Sequence, residues 1–205
     1  MKVGGGGLIN SITIAGTVAV VTAAVSKHGV EALAGYGLGS RLEIIITPLV
    51  FGIGSVLTAT VGINVGAQQL PRAKMIAWTG AFISFCVVGL LGATVTIFPD
   101  VWLNNFESST LIRDYATSYL IIVAPFYCFF AAGQTLYFAS QGLGKIFYPV
   151  IVGIIRLLSV SIICYYVTFY DLSLNFVFYG VSFGLLATGL GLWMCMLGPD
   201  WKKQI

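Results

Sequence analysis

The chain has 205 residues, of which 58% are hydrophobic and 8% charged, with a net charge of +3 and mean hydropathy +0.97. Soluble domains carry about 25% charged residues, so this composition cannot clothe a water-facing surface and excludes a soluble enzyme or a soluble binding module. With most of the surface facing lipid, the small positive charge gives no footprint for a nucleic acid, and none is expected as a partner.

Charged residues punctuate the apolar text into six charge-poor runs, at 3–26, 44–70, 75–99, 115–144, 146–170 and 172–199. Each exceeds the ~20 residues an α-helix needs to cross a bilayer core. Strands of a membrane barrel would show about ten residues of alternating polarity, and no run alternates in that way. The reading is an all-α membrane protein: a single six-transmembrane-helix bundle over 1–205, with helices near 5–26, 41–68, 73–98, 112–142, 146–169 and 173–197. The first run opens on glycines and lacks a cleavage signal, so it does not read as a signal peptide.

Between the runs lie short connections: "KHGVEALAGYGLGSRLE", "QQLPRAK", "PDVWLNNFESSTLIRD", "GLGK" and "YDLS". None has room for a soluble domain. With the N-terminus inside, the inner segments hold Lys2, Arg72, Lys74, Lys145, Lys202 and Lys203 against Asp200. The outer segments hold Lys27, Arg41 and Arg113 against Glu31, Glu43, Asp100, Glu107, Asp114 and Asp171. Basic residues stay on the cytoplasmic side during insertion, so both termini are expected to be cytoplasmic in a multi-pass protein of the cytoplasmic membrane.

The second run contains Pro48 and the glycines Gly52, Gly54, Gly62 and Gly66, and the fourth contains Pro125. Proline deletes one helical hydrogen bond, which lipid tolerates only where neighbours or a watery cavity satisfy the freed backbone. The same two runs carry Asn64 on one side and Gln134, Tyr137 and Gln141 on the other, the last three at spacings that share a helix face. Two explanations stand side by side. Small residues such as Gly35/Gly39, Gly62/Gly66 and Gly180/Gly184 let helices approach, with amide hydrogen bonds between them; alternatively, the polar faces line a solute cavity.

Arg156 is the one charge inside a run, and it should face the bundle and donate to carbonyls, Gln or Tyr, with carbonyls freed by Pro125 as natural partners. It acts either as a staple or in the cavity. The four cysteines fall in four different runs and the single histidine, His28, offers no ligand spacing, so no metal site and no cofactor are expected. No run contains an acid, so neither catalysis nor ion coupling has an intramembrane carboxylate to use.

The stretch "GYGLGSRLEIIITPLVFGIGSVLTATVGINVGAQQLPRAKMIAWTGA" resembles the helix 7–9 region of multidrug and toxic compound extrusion (MATE) transporters, where Gly-Ser-Arg-x-Glu leads into a helix ending in Gly-x-Asn-x-Gly-Ala. "YLIIVAPFYCFFAAGQTLYFASQGLGK" is similar to the family's tenth helix. The resemblance implies one lobe of a twelve-helix MATE-like antiporter that exchanges Na⁺ or H⁺ for drugs or other amphiphilic or cationic compounds. Its partners would be the lipid bilayer, an N-terminal six-helix lobe and a small-molecule substrate. Some members carry an acid where this chain has Ala131 or Asn10, so the resemblance places the coupling ion in the first lobe. It also implies that Asn10, Pro48, Asn64, Gln134, Tyr137, Gln141 and Arg156 are candidates for the cavity, with Arg41 and Glu43 at its outer mouth. For Glu43 an interfacial structural role and direct contact with cation or substrate both stand. A lipid-linked precursor flippase of the same superfamily, or a non-transporting membrane subunit or gene remnant, are the other functions the chain admits.

Overall fold

The computed structural model describes residues 2–106, 108–198 and 201, with side chains from Gly7 onward. Of the charges that orient the chain, Glu107, Asp200, Lys202, Lys203 and the side chain of Lys2 lie outside the described residues. Six stretches are long and apolar enough to cross a membrane, built from α1 (Lys2–Ser26), α2 (Val30–Gly66), α3 (Leu70–Ile97), α5 (Thr110–Val123) continuing into α6 (Tyr127–Leu143), α7 (Phe147–Phe169) and α8 (Leu174–Leu197). A one-turn helix, α4 (Asp100–Leu103), lies between α3 and α5.

Connections of a few residues make successive helices antiparallel, so the α1–α2, α3–α5 and α7–α8 turns share one end of the bundle. Large apolar side chains such as Phe82, Leu90, Ile97 and Met194 are left exposed, as a lipid-facing surface requires. Cys86 belongs to that exposed surface, whereas Cys128 and Cys164 are packed inside.

Two boundaries differ from the sequence reading. The first outer connection is not a loop: α2 begins at Val30 and runs 37 residues through Arg41 and Glu43. Residues Ala32, Gly35, Tyr36, Gly39, Leu42 and Ile46 are buried at helical spacing, so packing of one face carries the helix through its charges. The inner "QQLPRAK" connection likewise shrinks to a turn before α3, whose first turn contains Pro71, where its missing N–H costs nothing.

Pro125 acts as a breaker. Ala124–Phe126 form a 3₁₀ turn that separates α5 from α6, whereas α2 runs on through Pro48. Of the three small-residue pairs, Gly35 and Gly39 seat α5, since a Cβ there would stand 2.5 Å from Tyr115 Cβ and from Tyr119 Cδ1 respectively. Gly180 and Gly184 seat α7 through Ile163 and Val160. Gly62 lies at the α2–α6 contact, where a Cβ on Gly142 would stand 3.2 Å from Gly62 N, whereas Gly66 meets nothing within 4 Å, so only the first of that pair is at a packing seam.

Candidate functional site

The face of α2 that reaches the bundle interior carries Tyr36, Ser40, Glu43 and Thr47, spaced by three and four residues and therefore stacked along one stripe. This stripe lines a cavity of about 740 Å³ together with residues of α1, α5, α6, α7 and α8. That volume falls within the roughly 300–1,000 Å³ of small-molecule sites. The walls are mainly apolar, from side chains such as Ile14, Val18, Val21, Leu33 and Phe130, and the charged groups facing it are Glu43 and Arg156.

Glu43 does not sit at the interface. It lies thirteen residues past the start of α2, about 20 Å along the helix at about 1.5 Å per residue, inside a membrane-spanning segment. The expectation that the spans hold no carboxylate is therefore overturned. The carboxylate lies deep because α2 starts at Val30 rather than at residue 41.

Two tyrosines converge on its Oε1: Tyr119 Oη donates a short hydrogen bond, and Tyr127 Oη donates at 3.2 Å. Both tyrosines are buried. Tyr119 reaches the carboxylate because its ring lies over Gly39, one helical turn before Glu43. Tyr127 is the first residue of α6, placed there by the break at Pro125. The ring of Tyr119 is fixed edge-on between Tyr36 at 5.3 Å and Phe178 at 5.1 Å.

Arg156, from the middle of α7, is 5% exposed and is among the residues lining the same cavity. Gly184 on α8 makes room for its stem, since a Cβ there would stand 3.5 Å from Arg156 Cγ. Its Nε and Nη2 have no hydrogen-bond partner among the described residues. The expected bonds to carbonyls freed by Pro125 are thus not made from these two nitrogens. It also forms no direct ion pair with Glu43; among the described residues the salt bridge is Arg113–Asp100, 2.7 Å, at the surface.

The candidates from the sequence separate into groups. Pro48, Glu43 and Arg156 line the cavity. Arg41 is exposed, with its guanidinium 5.4 Å from the Phe106 ring in a cation–π contact. Asn64 turns back on its own helix, its Nδ2 donating to Thr60 O at 2.8 Å. Asn10 faces α7, its Oδ1 3.7 Å from where a Cβ on Gly153 would stand. Tyr137 pairs with Gln141, whose Nε2 in turn lies 3.7 Å from such a Cβ on Gly7 of α1. Gln134 is buried, and its Nε2 has no hydrogen-bond partner among the described residues. Asn10, Asn64, Gln134, Tyr137 and Gln141 do not line the cavity that holds Glu43.

Sequence reasoning missed Tyr36, Tyr119 and Tyr127. The helical spacing of Tyr36, Ser40, Glu43 and Thr47 was the available signal for the stripe. Chemically, a carboxylate and two phenolic oxygens offer hard oxygen donors to a proton or a small cation, while the guanidinium opposite offers donors only.

Solved structures similar to this fold include transporters. The MATE transporter ClbM in complex with Rb⁺ matches with a TM-score of 0.86 and 22% identity, over 96% of this chain and 46% of that one. The bent form of the Vibrio cholerae MATE transporter VcmN matches with a TM-score of 0.82 and 17% identity, over 95% and 44%. A curated FAD transporter from Shewanella oneidensis is 29% identical over 122 residues, which is 58% of this chain and 27% of that protein. The chain therefore spans under half the length of the proteins it matches. The MatE family model matches residues 8–167, and on that match this six-helix membrane chain belongs to the MatE family of transporters.

Proposed function

We propose that this chain is the C-terminal lobe of a cation-coupled exporter of amphiphilic compounds, working with a second six-helix lobe in the cytoplasmic membrane with both termini inside. The observation that carries the reading is Glu43, a carboxylate in a membrane span, held by Tyr119 and Tyr127 and facing a ligand-sized cavity. An ionisable residue at such a depth is expensive and marks ion or substrate pathways.

The resemblance places the coupling ion in the first lobe, because this chain has no acid at Ala131 or Asn10; Glu43 adds a carboxylate within the spans of this lobe, and through it this lobe would contribute to Na⁺ or H⁺ coupling. Among the cavity-lining residues Arg156 is the single Lys or Arg, which favours an exporter over a flippase for lipid-linked precursors, whose polyanionic cargo calls for several cations.

Proteoliposomes holding this chain together with a first lobe of the family, loaded with a fluorescent amphiphile, test the reading. Flux should follow an imposed Na⁺ or proton gradient and lose that dependence in Glu43→Gln. Gradient-driven flux unchanged by Glu43→Gln would remove Glu43 from coupling.

A further inference from the structure

His28 is the single histidine of the chain, and it stands in the turn between α1 and α2, outside the membrane-spanning stretches. Both of its ring nitrogens face backbone carbonyls. Nδ1 lies 3.2 Å from Ala24 O, and Nε2 lies 3.1 Å from Leu172 O in the α7–α8 turn. The first carbonyl is open to the ring because α1 tightens at its end. The His28 N–H bonds Val25 O at 2.9 Å rather than Ala24 O, its partner in a regular α-helix. A carbonyl oxygen only accepts, so each contact is a hydrogen bond only where the nitrogen carries a proton. Neutral imidazole carries one N–H and imidazolium carries two. Turning the ring over would put carbon atoms against both oxygens. The two contacts are therefore satisfied together only by the charged ring.

We propose that His28 is a protonation-dependent clamp: as imidazolium it joins the α1–α2 turn to the α7–α8 turn, and as neutral imidazole it holds at most one of the two carbonyls. Lys27 and Glu31 flank it on its own side, and the Glu31 carboxylate folds back to 3.7 Å from where a Cβ on Gly29 would stand. On the facing turn the titratable neighbours are Tyr170 and Asp171, next to the accepting Leu172. No carboxylate reaches ion-pairing distance of His28 among the described residues. Around the ring α1 and α7 end while α2 and α8 begin, so helix dipoles of both signs meet there and offset. The carbonyl pair is what separates the charged ring from the neutral one at short range. A group whose charged, protonated form is held by the fold lends stability at low pH and loses that contribution as pH rises. Val21 and Thr22, near the same end of α1, line the cavity, and α1 packs along α7. Releasing the clamp thus frees the end of one cavity wall. In the orientation proposed above, it reads the pH of the outside medium.

Melting of the purified chain in neutral detergent, at about pH 5.5 and about pH 8 on either side of the imidazole range, tests the clamp. Between the two, the wild type should gain roughly 3–12 °C at the lower pH beyond whatever His28→Gln gains, the shift expected of one hydrogen bond to a charged group in a chain of this size. Gln keeps an N–H donor and cannot titrate, so the variant should resemble the wild type at the higher pH. Amide hydrogen exchange, expressed as protection relative to the unstructured rate at each pH, locates the effect. Residues 24–30 and 170–175 should both be better protected at the lower pH in the wild type, and neither gain should appear in His28→Gln.

A pH effect of equal size in His28→Gln overturns the proposal and moves the titration to another group such as Glu31 or Asp171. Absence of a pH effect in the wild type overturns it as well, and so does added protection confined to one of the two turns. If His28→Gln fails to fold, the wild-type exchange pattern decides alone: joint protection of both turns supports the clamp, and anything less removes it. None of these readouts involves transport, so a failed clamp leaves the coupling role of Glu43 as it stood.

Discussion

Gly39 and Glu43 are one turn apart on α2, and a single side chain, Tyr119, spans both. The glycine sets how closely the ring lies, and the ring sets where its hydroxyl ends. Gly39→Ala puts a methyl 2.5 Å from Tyr119 Cδ1, and overpacking of this kind costs about 1–3 kcal/mol. A lower melting temperature in detergent is expected, together with a transport defect like that of Tyr119→Phe, which removes the hydroxyl and leaves the packing. Full transport in Tyr119→Phe would show that the hydrogen bond to Glu43 does not matter. Arg156→Leu is expected to cost no thermal stability, because replacing an unsatisfied buried charge by an apolar residue is commonly neutral or stabilising. A clear drop in melting temperature would instead make Arg156 a staple of the bundle.

At the scale of elements, the break at Pro125 has a visible repair. Ser182 on α8 donates to Ile122 O at 2.9 Å, just before the 3₁₀ turn, while also contacting Phe178 O on its own helix. Hydrogen bonds between membrane helices contribute about 0.6 kcal/mol on average, so Ser182→Ala should lower stability by roughly that amount in an equilibrium unfolding titration; a change beyond about 2 kcal/mol would point to a larger rearrangement. The number of spans was legible from the charges, because only membrane helices run so long without them. The start of α2 was not legible by the same rule. Glu31, Arg41 and Glu43 all fall inside one helix, and charge used as punctuation ends a helix where packing continues it. The buried period of Ala32, Gly35, Tyr36, Gly39 and Leu42 was the stronger signal, and reading it first would have placed Glu43 inside the bundle. Arg156 was legible as an inward charge, yet the lack of partners for its Nε and Nη2 among the described residues was not, since hydrogen bonds to carbonyls depend on where neighbouring backbones lie. The tyrosines around Glu43 come from two other elements, and no local pattern announces such a convergence.

For the whole molecule, orientation is the next property open to measurement. Lys145 and Asp171 occupy the turns at opposite ends of α7, and from the excess of basic residues at the Lys145 end we propose that this end faces the cytoplasm. Single cysteines at the two positions, in a cysteine-free background on intact cells, should react with an impermeant maleimide at 171 and stay protected at 145; the reverse pattern would invert the protein. The length of α2 has a mechanical consequence. At about 1.5 Å per residue its 37 residues make a rod of about 55 Å, against a hydrocarbon core of about 30 Å. Pro48 divides the rod, leaving an outer arm of about 27 Å on which Glu43 rides only about 8 Å from the division. A change of about 20° in bend at Pro48 therefore sweeps the Val30 tip through roughly 9 Å while Glu43 moves by less than 3 Å. The geometry is that of a lever with its load close to the fulcrum: a small displacement of the carboxylate is read out at the membrane surface as a movement several times larger.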